Sequence, residues 1–242
     1  MDDRLIVTAS PHIRDNATTR GLMGNVLIAL VPSIVASGLI FGMRAILLTA
    51  VTTLACVVFE YLYCKLMHKP VGDLSACVTG VILALNMPVS MPLWIAIVGA
   101  LVAIVIIKQL FGGLGYNFAN PALVGRIVLF LGFTSRMTAY VYPDMSVDAL
   151  ASATPLNAAV DLHSVSFVDM LLGIHGGMMG ETCVIAILLG LAYLLFTHTI
   201  EFTIPASIVG TMYVLTLLAT RDPYIALLDC MSGGLLFGAV FM

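Results

Sequence analysis

The sequence predicts an all-α polytopic membrane protein, and its composition and the spacing of its apolar runs support that prediction. Of 242 residues, 61% are hydrophobic and only 10% are charged, which is more apolar surface than a water-soluble chain of this length can bury. The hydrophobic residues fall into runs close to the 20 or so residues that a helix needs to cross a bilayer. The first 20 residues are polar and contain three arginines, so we expect no cleavable signal peptide there.

Eight apolar segments can be assigned along the chain. Five precede a long polar interval and three follow it, and the third segment is short enough to be half-buried or tilted. In order they cover residues 24–42, 45–66, 74–87, 93–111, 121–133, 182–197, 202–219 and 224–242. This predicts a tail over 1–23, a first membrane unit over 24–135, a loop over 136–180 and a second unit over 181–242.

The positions of lysine and arginine predict the orientation. With the N-terminus in the cytoplasm, seven of the ten basic residues lie at inner segments and three at outer ones. Because basic residues favour the cytoplasmic side of membrane proteins, this bias predicts a cytoplasmic N-terminus. Five crossings then place the 136–180 loop outside the cytoplasm.

An internal repeat is predicted from matching segments about 156 residues apart. Asp73, followed by Cys77-Val-Thr-Gly, opens one short apolar run, and Asp229-Cys-Met-Ser-Gly opens the corresponding later run. Chance similarity between helices rich in small residues is the alternative. A real repeat would have five helices per unit, and an odd number inverts the second copy across the membrane, as in many transporters. The second unit would then be incomplete, with two further spans expected after Met242.

The polar interval contains one distinctive hydroxyl. Thr154 lies among small residues, six positions after Asp148, and Pro155 biases it away from helical backbone. An extended chain with small neighbours is accessible to a modifying enzyme. The alternative is an ordinary Ser/Thr turn in a surface loop.

Glycines directly follow the end of the fourth apolar segment. Gly112, Gly113 and Gly115 disfavour a helix, and irregular backbone at membrane depth must be buried in protein or line a wet cavity. Such glycines also allow a flat ring to approach the backbone closely, although a tight turn would use them equally well. In the following Asn120-Pro-Ala, we expect proline in the first turn of a helix.

Four acidic residues near apolar segments are candidates for an ion path. Asp73 and Asp229 are expected to start short helices, where N-capping is the alternative role. Glu60 lies little more than one helical turn from Lys65 and close to the inner membrane boundary, so contact with water is its alternative. Glu181 is expected at the start of a helix, where a carboxylate is favourable.

Histidines and cysteines give no reason to expect a metal site. His163 and His175 lack metal-ligand spacing and are expected to be solvated or capping. The five cysteines lack a Cys-x-x-Cys pair, so no metal site is expected, and buried thiols are the better interpretation.

Several stretches, in order along nearly the whole chain, resemble the membrane-embedded D-type subunit of the Rnf ferredoxin:NAD⁺ oxidoreductase. The most specific is Lys-Gln-Leu-Phe-Gly-Gly-Leu-Gly-Tyr-Asn over 108–117. Others are Ser-Pro-His over 10–12, Thr-Gly over 79–80 with Asn-Met-Pro over 86–88, Gly-Glu-Thr over 180–182 and Ser-Gly-Gly over 232–234. The 148–156 stretch resembles the family's flavin-attachment signal, shared with the B-type subunit of the Na⁺-translocating NADH:quinone reductase. Ala151 and Ser152 stand where that signal usually has Ser and Gly.

The resemblance implies a flavoprotein subunit of a redox-driven Na⁺ or H⁺ pump in the bacterial cytoplasmic membrane. FMN would be joined through its phosphate to Thr154, with Asp148, Ser152 and Ala153 forming the attachment signal. A second, noncovalent riboflavin is implied without a located pocket. The implied partners are Rnf subunits of types A, B, C, E and G, a flavin transferase and lipid, with no nucleic acid.

Two other interpretations of the sequence remain. One is a channel or solute transporter of the urea-transporter-like fold, suggested by the inverted repeat and the Asn-Pro-Ala stretch. The other is a membrane scaffold that has lost its flavin, which the departures at Ala151 and Ser152 allow.

Overall fold

A computed structural model describes residues 18–68, 72–141, 166–232 and 234–242, and in these ranges the chain forms helices and turns without a strand. The first half contains α1 (Thr19–Phe41), α2 (Met43–Leu66), α3 (Ser75–Leu85), α4 (Leu93–Leu101), α5 (Pro121–Gly132) and α6 (Thr134–Met137). The second half contains α7 (Phe167–Leu172), α8 (Val184–Phe196), α9 (Thr203–Thr220), α10 (Pro223–Met231) and α11 (Leu235–Phe241). The predicted class, a polytopic helical membrane protein, is confirmed.

The eight apolar segments all appear as helices, but four of these described helices are shorter than a bilayer requires. Among the described residues, α1, α2 and α9 are long and apolar enough to cross, and α10 with α11 forms a fourth candidate, bent by 53° at its break. The remaining apolar helices have 10–17 residues. Large hydrophobic side chains are exposed along α1, α2 and α9, as expected for helices whose outer faces contact lipid.

Helix α3 is the buried centre of the first half. Ten of its eleven residues are buried, and it packs against α2, α1 and α5. A Cβ on Gly80 would lie 2.7 Å from the Cα of Thr53, so glycine is needed for α2 and α3 to approach this closely. Its short length and central position agree with the expectation of a short third segment.

The fourth segment changes its winding before it ends. Helix α4 passes without a break into a π-helix over Val102–Gln109, and the Leu110 N–H bonds to the Val105 carbonyl. A wider helical turn of this kind is uncommon and is found mostly at functional sites. The glycines that follow have φ between +89° and +117°, so the stretch is non-helical as predicted.

Helix α5 begins where the sequence predicts. The Asn120 side chain accepts a hydrogen bond from the Ala122 N–H at 3.0 Å, and Pro121 occupies the first turn. This satisfies one donor that a helix start leaves free. The expectation for the Asn-Pro-Ala stretch is therefore confirmed.

The two halves meet where α1 packs against α8. A Cβ on Gly190 would lie 2.5 Å from the Ala29 carbonyl oxygen, and Asn25 donates to Thr199 at 3.2 Å. The two halves have comparable internal contacts. In the first half α3 packs against α2 and α1, and in the second half α10 packs against α9 and α11 packs against α8. The inverted five-helix repeat remains a prediction.

Candidate functional site

A buried lysine is the centre of the first charged cluster. Lys108, on the π-helix, is 1% exposed, and its Nζ donates to Glu60 Oε1 on α2 and to Ser75 Oγ on α3. Gln109 Nε2 also donates to Glu60 Oε1, at 2.8 Å. Charges removed from water are stable only when they are paired and hydrogen-bonded, and this cluster meets both conditions.

A second carboxylate lies at the edge of the same cluster. Asp73 Oδ1 is 4.0 Å from Lys108 Nζ and accepts from Ser75, at 3.0 Å from its N–H and 2.6 Å from its hydroxyl. Partial burial raises the pKa of Asp73, but the Ser75 hydrogen bonds and the Lys108 charge outweigh it, so the pKa lies below its usual value. Lys108 therefore lies between one buried and one partly exposed carboxylate.

A cavity adjoins this cluster. It has a volume of about 390 Å³ and lies between α1, α3, the start of α5 and the glycine stretch. Its wall is largely apolar, with polar groups from Ser75, Thr79, Lys108, Asn117 and Asn120. A pocket of this size with few polar groups suits a small organic ligand.

One of the three glycines lines that cavity. Gly115 lies on the wall with φ +89°, whereas a Cβ on Gly112 would meet the Tyr116 ring at 3.2–3.5 Å. The Asn117 amide is oriented so that its nitrogen faces backbone carbonyls. In this orientation the nitrogen donates to the Gly113 and Lys108 carbonyls at 3.1 Å. Of the three glycines, the cavity wall therefore includes Gly115.

A second charged cluster lies where α3 ends. Arg126, in the middle of α5, donates from Nη1 to Asn86 Oδ1 at 2.8 Å. Glu181 is 7% exposed and accepts from the Met178 N–H at 3.0 Å. A Cβ on Gly234, at the α10–α11 break, would lie 2.5 Å from Glu181 Oε2 and 3.8 Å from Arg126 Nη1.

Three sequence expectations are corrected by these positions. Glu181 lies before α8 rather than in its first turn, and its Oε1 accepts from the Met178 N–H, which precedes it in the chain. Glu60 does not reach water but is buried against Lys108. His175 is 3% exposed rather than solvated, and its Nε2 has no hydrogen-bond partner in the described residues. Tight packing of the stretch before α8 buries both Glu181 and His175.

Asp229 was also placed wrongly. It lies in the last turn of α10 and accepts from the Thr216 hydroxyl of α9 at 3.1 Å. The helix starts earlier because Asp222 caps it, accepting from the Tyr224 N–H at 2.9 Å, and Pro223 occupies its first turn. Asp73, by contrast, does lie at the start of α3 and bonds the Ser75 N–H there.

The structure does not bring all four acidic candidates together. Glu60 and Asp73 share Lys108, Glu181 lies beside Arg126, and Asp229 bonds to α9. Three cysteines, Cys56, Cys64 and Cys230, are buried as expected. Asp148, Ser152, Ala153, Thr154 and His163 lie outside the described residues.

Lys108 and Arg126 are not among the candidates predicted from the sequence, in which they serve only as inner positive charges. The available signal was a basic residue inside an apolar segment, which is costly unless a partner is present. Lys108 also belongs to the most specific stretch of the sequence, 108–117. Its partner Glu60 is 48 residues away, which local spacing does not indicate.

Comparison with known proteins gives one consistent result. The model of the NQR2, RnfD, RnfE family matches residues 6–242. The D-type subunit of the Na⁺-translocating ferredoxin:NAD⁺ oxidoreductase complex of Acetobacterium woodii is 40% identical, over 98% of this chain and 76% of that protein. The D-type subunit of the proton-translocating complex of Clostridium ljungdahlii is 34% identical, over 98% and 77%. The D-type subunit of an ion-translocating oxidoreductase complex of Alcanivorax borkumensis is 31% identical, over 98% and 79%.

Proposed function

The chain belongs to the NQR2, RnfD, RnfE family, and from this premise we propose that it carries electrons through covalently bound FMN. It is a membrane subunit of an ion-translocating ferredoxin:NAD⁺ oxidoreductase complex, and the other subunits of that complex are its partners. The proposal adds a flavin on Thr154, a transferase that attaches it and an extracytoplasmic position for that loop. It also places the chain in the bacterial cytoplasmic membrane, with its N-terminus in the cytoplasm.

The observation that supports this proposal is the extent of the relatedness. The match covers 98% of the chain, so it includes the 148–156 stretch with its Thr-Pro pair. The chemistry of attachment requires a hydroxyl oxygen, and Thr154 provides one directly before a proline, a sequence position that disfavours helical backbone. A bound flavin accepts and releases electrons, and the protein sets its position and surroundings.

The cavity beside Lys108 is our candidate site for the second, noncovalent flavin. Its volume of about 390 Å³ falls within the range of small-molecule pockets, and its apolar wall suits a flat aromatic ring. Asn117 and Asn120 would bond the polar edge of the ring, and Gly115 lets it lie against the backbone. Lys108 would place a positive charge on the same wall, fixed by Glu60 and Ser75.

The channel or solute-transporter alternative gains no support from the three relatives, each of which is named as an oxidoreductase subunit. Peptide mass spectrometry of the purified complex tests the proposal. We expect the peptide containing Thr154 to carry the mass of FMN less one water. An unmodified peptide at full coverage, from cells that make the flavin transferase, would contradict it.

A further inference from the structure

Most of the connection between α7 and α8 is buried although it is not helical. Residues 175–182 are all buried, and the N–H groups of Met179 and Gly180 donate to the carbonyls of Met87 at 3.2 Å and Leu85 at 2.8 Å. These bonds satisfy carbonyls that the end of α3 leaves free. Glu181 is therefore held in the protein interior by a fixed piece of backbone.

Glu181 and Arg126 are neighbours without being an ion pair. Both flank Gly234, yet among the described residues no ion-pair contact joins them. Arg126 instead donates to the neutral amide oxygen of Asn86. An ionised carboxylate is a stronger partner for a guanidinium than a neutral amide is, because it carries the opposite charge and its two oxygens can accept two parallel N–H bonds. This arrangement is the one expected when the carboxyl is protonated.

We propose that Glu181 binds a proton and that Arg126 exchanges partners as the proton comes and goes. With the proton bound, Arg126 bonds Asn86, as observed. When the Glu181 O–H bond breaks and the proton passes to water, Arg126 turns to the carboxylate and compensates its charge. The inference rests on the proposed function, because a site that binds and releases a proton can contribute to proton movement only within an ion-translocating complex.

Within the part of the chain that the structure describes, the charged and titratable groups beside Glu181 are consistent with this role. Arg126 approaches from α5, and Tyr140, after α6, interacts electrostatically with both Glu181 and Arg126. On the same connection, His175 Nε2 and Thr182 Oγ1 are buried without a hydrogen-bond partner in the described residues. Buried polar atoms without a protein partner are commonly satisfied by water, which could carry the proton.

Gly234 leaves room for the exchange. A side chain at this position would place an atom 2.5 Å from the Glu181 carboxylate, on the side where Arg126 also approaches. Its φ of +75° is a second reason for glycine at this position. The break between α10 and α11 thus provides the close backbone contact beside the two charged groups.

Infrared spectroscopy of the complete complex tests the proposal through the carbonyl stretching band of a protonated carboxyl group. We expect such a band at neutral pH that disappears in Glu181→Gln, and that weakens as the pH rises. Glu201→Gln is the matched control, because Glu201 is exposed, and this change should leave the band intact. Sodium at constant pH should not change the band.

Two further variants separate proton binding from a structural role. Arg126→Gln removes the competing cation, so the band should persist to higher pH. Asn86→Ala removes the neutral partner of Arg126, so the band should be lost at lower pH than in the unaltered complex. Shifts in opposite directions would support the exchange, and two shifts in the same direction would contradict it.

Other outcomes overturn the proposal directly. A spectrum in which Glu181→Gln removes only carboxylate bands would show that Glu181 is ionised. A band that falls when sodium is added would assign the site to Na⁺ instead. Flavin content and electron transfer are measured on the same samples, so failure of the proton site with both intact leaves the proposed function standing.

Discussion

Removing the carboxylate of Glu60 should destabilise the protein strongly, because Lys108 would keep a buried charge without its main partner. Glu60 is 8% exposed and Lys108 is 1% exposed, so little water can replace the lost contact. Breaking a buried ion pair from one side costs about 3–5 kcal/mol. In a chain of this length, 1 kcal/mol shifts the unfolding midpoint by about 2–4 °C, so Glu60→Ala should lower it by about 6–20 °C.

Asp73 decides where in that range the result falls. Its carboxylate is 4.0 Å from Lys108 and is available as a replacement partner, although its side chain is 35% exposed. Asp73→Ala alone should cost about 0.5–2 kcal/mol, because it removes the hydrogen bond to the Ser75 N–H at the start of α3 in addition to a partly exposed ion pair. Combined with Glu60→Ala, it should cost more than the two single changes added together, because contacting residues are not additive.

The assay is the midpoint of heat-induced loss of the monodisperse peak in detergent, measured on the tagged protein. Glu201→Ala, at an exposed position, is the control and should stay within about ±0.5 kcal/mol of the unaltered protein. Replacing both partners, Glu60→Leu with Lys108→Met, should recover much of the loss, since apolar replacements of buried pairs are often neutral. A midpoint for Glu60→Ala equal to that of the control would refute the buried-pair argument.

Three further predictions test other parts of the account. Gly80→Ala should cost about 1–3 kcal/mol of stability, because its Cβ would press on the Thr53 backbone. Gly132→Ala is the control and should not destabilise the protein, because open space surrounds that position. The same thermal assay compares the two variants, and equal midpoints would contradict the close packing of α2 and α3. Asn120→Ala should lower the free energy of unfolding by about 0.5–2 kcal/mol, because α5 loses its N-cap hydrogen bond. An unchanged midpoint would show that this hydrogen bond does not stabilise the helix. A cysteine placed beside Thr154, with the native cysteines removed, should react with an impermeant thiol reagent in intact cells; reaction only after cell opening would reverse the predicted orientation.

Local signals in the sequence predicted most helices correctly. Asn120-Pro121 marked the start of α5, and the glycines after Lys108 marked the end of the fourth segment. The same kind of signal, Asp222-Pro223, also marks the start of α10, and giving it precedence over the repeat would have placed Asp229 inside that helix. That error was avoidable from the sequence.

The charged clusters could not be predicted from local patterns, because their members come from distant segments. Lys108 meets Glu60 across 48 residues, and the distance along the chain from Arg126 to Glu181 is similar. Whether Glu181 is buried depends on how residues 173–182 pack against the end of α3, and no periodicity marks that packing. The fold class could be predicted from composition, because the overall shares of hydrophobic and charged residues distinguish a membrane protein from a soluble one. The contacts of Lys108 and Glu181 depend instead on which segments pack together in the folded chain.

Flavin fluorescence of this subunit on a denaturing gel shows whether Thr154 holds a covalent flavin. The unaltered protein, made with its flavin transferase, should fluoresce, and Thr154→Ala should not, while inserting in the membrane normally because one loop hydroxyl is worth within about ±0.5 kcal/mol. Ser152→Ala is the matched control and should keep its fluorescence. Fluorescence that survives Thr154→Ala but is lost in Ser152→Ala would move the attachment to Ser152, and no fluorescence in the unaltered protein would contradict the electron-carrier role.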